Sequence, residues 1–452
     1  MTTLLVKHIH TLVTMDGDRR EIRNGALLVR DNAIAQVGTT DELPDGADEI
    51  LDLGDRYVVM PGLVNTHHHF FQTLTRAVPG AQNKSLFGWL KVLFPIWGKL
   101  DAEGLYVGSQ MAAAELILSG CTTASDHHYL YPNDCTLDDQ IRAVQEIGLR
   151  FHACRGSLSK GESLGGLPPD TLIEQEPDVL QDSRRLIEQY HDMSRHSMLR
   201  IALAPCSPFT VSEALMRESA ALARSYPGVR LHTHLAENRA DVEYSLASFN
   251  LTPGDYAESV GWLGEDVWHA HCVQLSDDAI HKFGQTGTGV AHCPCSNFRL
   301  ASGIAPIRKM LQQGVPVGLG VDGAASNDAT NLMHEARMAL LAARVRDCNA
   351  AEMTARDALE LATLGGARVL GRDDIGSLAP GQSADFIAFN MDRPQFAGAH
   401  HDIVAALILC QTDTVDYSFI NGKKVVDQGH LTTVDLRRLV AQTNRMAQKM
   451  VA

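Results

Sequence analysis

Apolar and polar residues alternate through the first part of the chain, over Leu4–Val13, over Gly25–Val37 with a turn at Asp31-Asn32, and over Glu49–Val59. A period of two with many β-branched side chains predicts strands of an antiparallel sheet. From Val58 the texture changes to short apolar runs separated by longer stretches of helical period. There are eight such runs: Val58–Asn65, Thr122–Asp126, Leu149–Cys154, Arg200–Pro205, Val229–His234, Val267–Cys272, Gly289–Cys293 and Val315–Val321. Between them Ala102–Ser119, Asp182–Ser194, Val211–Ser225 and Asn331–Val345 read as helices. A strand followed by a helix, repeated in this way, predicts parallel pairing and closure into a (β/α)8 barrel of the TIM type. After a last helical stretch, Ala355–Leu370, the strand texture returns with a turn at Gly376–Gly381, an apolar strand at Ala384–Asn390 and a hairpin signal at Asn421-Gly422. The expected fold class is therefore α/β. A barrel is expected over 59–375, a small discontinuous β-sandwich domain over 1–58 and 376–440, and a tail helix over 441–452.

The polar residues at the ends of these runs carry the chemistry, because barrels of this kind place their active sites at the carboxyl ends of the strands. The first run ends Asn65-Thr66-His67-His68-His69, and strand alternation puts His67 and His69 on one side with His68 on the other. The fifth ends His232-Thr233-His234-Leu235-Ala236-Glu237, the sixth His269-Ala270-His271, the seventh at His292, and the eighth Gly320-Val321-Asp322-Gly323. A single histidine at a strand end is more often a hydrogen-bonded structural residue than a ligand. Histidines and an aspartate recurring at several strand ends of one face fit a zinc site better than coincidence does. Alternation does not choose between His232 and His234, which share a face. Position favours His234, nearer the strand end and with Glu237 in reach, and likewise places His271 above His269.

Taken together, Pro61–His69, His234–Glu237, Ala270-His271-Cys272 and Gly320–Asn327 resemble, in order and spacing, the motifs of the amidohydrolase superfamily in its aminohydrolase branch. The resemblance implies one zinc ion held by His67, His69, His234 and Asp322, a ligand set that iron also accepts. No lysine ends the fourth run (Ala204-Pro205-Cys206), so the modified lysine that bridges two metals in other members has no counterpart and one ion is expected. The implied catalytic residues are Asp322, accepting a proton from water, His271, orienting the nucleophile, and Glu237, delivering a proton to the ring and then to the leaving nitrogen. Further residues, His69–Gln72, Phe94–Trp97, Arg155–Ser157 and the segment Gly161–Asp170, resemble the deaminases of oxidised purine bases within that branch. They imply hydrolytic deamination of a purine-like base, 8-oxoguanine going to urate and ammonia. Triazine or adenosine-type substrates on the same site are the alternative. A non-catalytic scaffold with this fold is a further one, opposed by the complete ligand set with Glu237 and His271. Substrate contacts are expected from Gln72, Arg155, Trp97, His292 and Asn297. Loops at Ala77–Leu100 and Arg155–Asp170 are expected to cover the ring. His127-His128 and His400-His401 read as surface or supporting residues, and Cys293-Pro294-Cys295 as structural.

Composition narrows the partners. The chain is 45% hydrophobic and 21% charged, as in an ordinary globular protein, and its acidic residues outnumber the basic by 54 to 39 for a net charge of −15. Such a surface repels phosphate backbones and anionic head groups, so no nucleic-acid or membrane partner is expected. Lys7, His8 and His10 interrupt the first apolar stretch, which does not read as a signal peptide. Nine cysteines are scattered without the spacing of a disulfide framework, which fits a reducing compartment. A cytoplasmic homo-oligomer acting on a small heterocyclic molecule is the expectation.

Overall fold

In a computed structural model of the chain, which describes residues 2–410 and 412–452, the alternating segments of both ends pair into one sheet of nine strands. Its first part is β1 (Thr3–Val13), β2 (Glu21–Arg30), β3 (Ala33–Thr39), β4 (Glu49–Asp52) and β5 (Tyr57–Pro61). Each of the eight apolar runs then supplies a barrel strand: β6 (Leu63–Asn65), β7 (Cys121–His128), β8 (Arg150–Ser157), β9 (Leu199–Pro205), β10 (Arg230–Leu235), β11 (Val267–His271), β12 (Gly289–His292) and β13 (Val317–Leu319). They pair in parallel in chain order, and β13 closes the ring on β6 with Leu319 opposite Asn65. The remaining strands, β14 (Phe386–Asn390), β15 (Tyr417–Ile420), β16 (Lys423–Asp427) and β17 (His430–Leu431), complete the terminal sheet, where β14 runs antiparallel to β5.

The run Val58–Asn65, expected as one strand, is divided between the two sheets. Gly62 makes the crossing possible: a Cβ there would lie 2.1 Å from the side chain of Thr122, so only glycine brings the backbone this close. Its N–H donates to Asp385 O at 3.0 Å, on the way into β14, while Leu63 N–H donates to Gly120 O at 2.9 Å, on the way into β7. The expected boundary after residue 58 therefore falls inside β5. The closing helix, Leu436–Val451, likewise starts ahead of the expected 441.

The helices end where local chemistry directs. Ala102–Leu118 starts on the Asp101 carboxylate, which accepts from Gly104 N–H. Leu137–Ile147 carries a Thr136/Asp139 capping box and stops at Gly148 in the left-handed region. The helix expected from Asp182 begins earlier, at Glu176, with Pro177 in its first turn. The stretch 355–370 is not one regular helix. Leu361–Gly365 forms a π turn between Ala355–Glu360 and Gly366–Val369, and Gly365 and Gly366 press against the backbones of Val317 and Val64. This close approach lets Ala367, Val369 and Leu370 plug the barrel interior against Val64, Trp268 and Ala291. The segment Ala77–Leu100 is a correction too: it is built around a helix, Leu86–Trp97, not an irregular loop. No helix among the described residues is long and apolar enough to cross a membrane.

Candidate active site

The carboxyl ends of β6, β10, β11 and β13 bring six side chains together. His67 Nε2 and His69 Nε2 each lie 3.3 Å from Asp322 Oδ1, and His69 Nε2 is 3.1 Å from His234 Nε2. His271 Nε2 stands 4.0 Å from Asp322 Oδ2 and 3.7 Å from Glu237 Oε2. Strand geometry alone would not aim these groups at one point. Ala236, His271, Cys272 and Asp322 all have positive φ, between 51° and 70°. For residues with a Cβ this conformation costs on the order of 1 kcal/mol or more each, and such strain concentrates at functional sites.

Each imidazole is anchored through its inner nitrogen. His69 Nδ1 donates to His127 O at 2.7 Å, His234 Nδ1 to Cys206 O at 2.6 Å, and His271 Nδ1 faces Asn297 Oδ1 at 2.9 Å. Since a carbonyl oxygen only accepts, the hydrogen sits on Nδ1, and a neutral ring then turns a bare Nε2 lone pair to the centre. Burial favours the neutral ring in His67, His69 and His234. It pushes His234 down to about 3, helped by the nearby His69 and His271, and lowers His69 and, more strongly, His67. Two lone pairs 3.1 Å apart beside a carboxylate repel one another unless a cation lies between them. Burial opposes ionisation of Asp322, while three hydrogen-bond donors favour its carboxylate form. Its Oδ1 accepts from Gly323 N–H at 2.7 Å, and its Oδ2 from Ser296 Oγ at 2.5 Å and Ser326 Oγ at 3.0 Å. Imidazoles anchored at Nδ1 and an oriented carboxylate fit one zinc ion, and the donor set accepts iron as well.

Above this cluster lies a cavity with His69, Gln72, Tyr129, Glu237, His271 and Asp322 on its polar side. Leu86, Trp89, Leu90, Phe94, Phe209 and Leu300 form the apolar walls. Glu237 is buried, with Ser302 Oγ 3.5 Å and His271 Nε2 3.7 Å from its carboxyl oxygens. Burial first, and then the negative charge of Asp322, raises it well above the usual carboxylate range and favours its protonated form.

Of the expected substrate contacts, Gln72 lines the cavity and donates through Nε2 to the Tyr129 hydroxyl at 3.2 Å. Gly323 gives it room, since a Cβ there would stand 1.8 Å from Gln72 Oε1. Four expected contacts do not line the cavity. Arg155 is spent elsewhere: its guanidinium pairs with Glu174 at 2.6 Å and Asp182 at 2.8 Å, and lies 4.0 Å over the Tyr131 ring. Trp97 packs behind the wall against Phe71, Trp89 and Phe94 and donates its indole N–H to Thr75 Oγ1 at 3.0 Å. Asn297 supports His271 from behind, and His292 is buried in the barrel. Sequence reasoning missed Tyr129, Ser207, Thr210 and Ser326 on the cavity surface. Tyr129 had a signal, lying two residues beyond His127 just past the end of β7.

The profile of the amidohydrolase family matches residues 58–425. The chain is 46% identical over 430 residues to 8-oxoguanine deaminase of Pseudomonas aeruginosa, covering 95% of each. It is 34% identical over 428 residues to isoxanthopterin deaminase of an unknown prokaryotic organism, covering 90% of this chain and 88% of that one. Among solved structures, atrazine chlorohydrolase from Arthrobacter aurescens complexed with zinc superposes with a TM-score of 0.94 at 33% identity, over 98% of this chain and 100% of the other.

Proposed function

The chain belongs to the amidohydrolase family, and from that premise we propose that it is a zinc-dependent aminohydrolase that converts 8-oxoguanine to urate and ammonia. The observation that carries the reading is a single buried floor where His67, His69, His234 and Asp322 converge, with Glu237 3.7 Å from His271 beside them. The identity to the Pseudomonas aeruginosa deaminase, over nearly all of both chains, supports the substrate. The zinc in the atrazine chlorohydrolase structure supports the metal. The free thiols of all nine cysteines support a reducing, cytoplasmic setting.

His67, His69, His234 and Asp322 would hold the ion. When bound, zinc supplies a Lewis acid that brings the pKa of water down to roughly 7. Asp322 accepts the proton that the attacking water gives up. His271, anchored on Asn297, keeps its Nε2 between Asp322 and Glu237, where it orients that water. Glu237, protonated by its burial, delivers a proton to the ring nitrogen next to the amino-bearing carbon, which would otherwise take up anionic charge. The same carboxyl then carries a proton to the departing ammonia. Trp89, Phe94, Phe209 and Leu300 offer flat apolar walls to a bicyclic ring and keep out bulk water, while Gln72 and Tyr129 face its polar edge.

The test is ammonia release from 8-oxoguanine, guanine, isocytosine, adenosine and an aminotriazine at matched concentrations, with metal analysis of the same preparation. About one zinc per chain and fastest turnover of 8-oxoguanine are expected. A pocket that hydrogen-bonds the C8 carbonyl and its flanking N–H groups leaves polar atoms unpaired when guanine binds, a loss on the order of 10⁴-fold. Faster release from guanine, adenosine or the triazine would overturn the substrate, and two tightly held metals would overturn the single-ion site.

A further inference from the structure

His232 lies outside the ligand set above and is completely buried beneath it. Its Nδ1 is 3.0 Å from the carbonyl oxygen of Trp268, and its Nε2 is 2.7 Å from Nδ1 of His67. Its ring stacks on the Trp268 indole, with centroids 4.4 Å apart and planes 13° from parallel. The indole N–H in turn donates to Thr66 O at 3.1 Å, one residue before His67, so the network closes on itself.

These contacts settle where the hydrogens sit. The Trp268 carbonyl only accepts, so His232 Nδ1 carries the hydrogen. A neutral imidazole has one N–H, so His232 Nε2 is a lone pair. The hydrogen in the 2.7 Å contact therefore belongs to His67 Nδ1. What remains of His67 is a bare Nε2, 3.3 Å from Asp322 Oδ1 and aimed at the centre of the cluster. His69 and His234 give their Nδ1 hydrogens to the main-chain carbonyls of His127 and Cys206. His67 alone among the three depends on a side chain for its tautomer and ring plane.

We propose that His232 is a positioning residue for the metal: it touches neither ion nor substrate, and it acts through His67 by accepting the Nδ1 hydrogen. An imidazole lone pair is a stronger acceptor than an amide carbonyl, so it also makes His67 Nε2 a better donor. The inference rests on the functional reading, in which His67 is a ligand.

The experiment is zinc affinity, measured by chelator competition on metal-stripped protein, for the parent chain, His232→Leu and His232→Gln. Leucine keeps the apolar contact with Trp268 but accepts no hydrogen bond, and a 10–100-fold weaker affinity is expected, the usual cost of losing a ligand's supporting partner. Glutamine places an amide oxygen near the position of Nε2 and should recover affinity to within about threefold of the parent. Parent-like affinity in His232→Leu, or equal losses in both variants, would overturn the proposal. Nitrogen-15 histidine spectra of the zinc-loaded parent give an arm that needs no variant: a hydrogen on His232 Nδ1 and none on Nε2 is expected, and the reverse sinks the idea. A parent chain that takes up no zinc would overturn the functional reading itself, and is thereby told apart from a zinc-binding parent insensitive to His232.

Discussion

Glu237 sits three residues beyond His234, and the left-handed turn at Ala236 is what swings it back over the cluster. Its environment separates it from Asp322, although both are buried carboxyls. Gly323 N–H, Ser296 Oγ and Ser326 Oγ donate to Asp322 and favour its ionised form, whereas burial and the repulsion of Asp322 favour the protonated form of Glu237. Two acids with opposite protonation in one pocket are what a reaction needing both a base and an acid requires. Glu237→Gln keeps the size and hydrogen-bonding capacity of the side chain but removes its transferable proton. Turnover is expected to fall by at least ~100-fold with zinc content unchanged; near-parent turnover would mean that the proton comes from elsewhere. The pH dependence has a definite sign. The raised acid donates while protonated, so turnover should fall as pH rises through its elevated pKa, and the residual activity of Glu237→Gln should lack that alkaline limb.

At the scale of elements, the strands were legible and the side-chain orientations less so. Each apolar run became a strand because a barrel strand is apolar on both faces and needs no long-range information to show it. The clustered histidines and Asp322 followed, because their positions are tied to strand ends. The helix Leu86–Trp97 shows where legibility stops. Its buried residues Leu86, Trp89, Leu90, Leu93, Phe94 and Trp97 recur at helical spacing, so sequence marks the stripe. Which edge of the stripe lines the cavity depends on how the helix is rolled against its neighbours, and the roll chose Trp89 and Phe94 over Trp97. Arg155 failed for a related reason, since its partners Glu174 and Asp182 come from a later segment. That pairing gives a prediction. Arg155→Gln leaves two carboxylates without their cation, which costs about 3–5 kcal/mol for a wholly buried pair and about 2 kcal/mol here, where both carboxylates keep some solvent. Denaturant unfolding should show the loss while KM stays within about twofold of the parent. A large rise in KM with unchanged stability would return Arg155 to the substrate site.

Over the whole molecule, the barrel and the terminal sheet are joined by a buried polar node that no local pattern announces. Arg372 grips Asp374 through two bonds, Nε to Oδ1 at 2.7 Å and Nη2 to Oδ2 at 2.8 Å, while His196 N–H, from the approach to β9, donates to Asp374 Oδ2 at 2.7 Å. Arg150, at the start of β8, donates to His196 O at 2.7 Å and Ser197 O at 2.6 Å, and pairs with Asp385, just ahead of β14. The chain leaving the barrel is thus tied to the strands it has left before it re-enters the sheet. Burial alone would raise Asp374, but the hydrogen bond and charge of Arg372, the His196 N–H and the charge of Arg150 hold it well below its ordinary range. Its folded pKa is therefore depressed relative to the unfolded chain. The stability it contributes is complete above the unfolded value of about 3.9 and is lost as pH falls towards the depressed folded value. Asp374→Asn leaves Arg372 buried without its counter-charge and should cost about 3–5 kcal/mol near neutral pH. Below pH about 3.9 the gap between parent and variant should narrow by up to about 1.4 kcal/mol per pH unit, because the unfolded parent takes up a proton there that the folded parent does not. Urea unfolding of both proteins from pH 7 to pH 3 measures that gap; a gap constant across the range would mean that the node contributes packing and hydrogen bonds but no charge pairing.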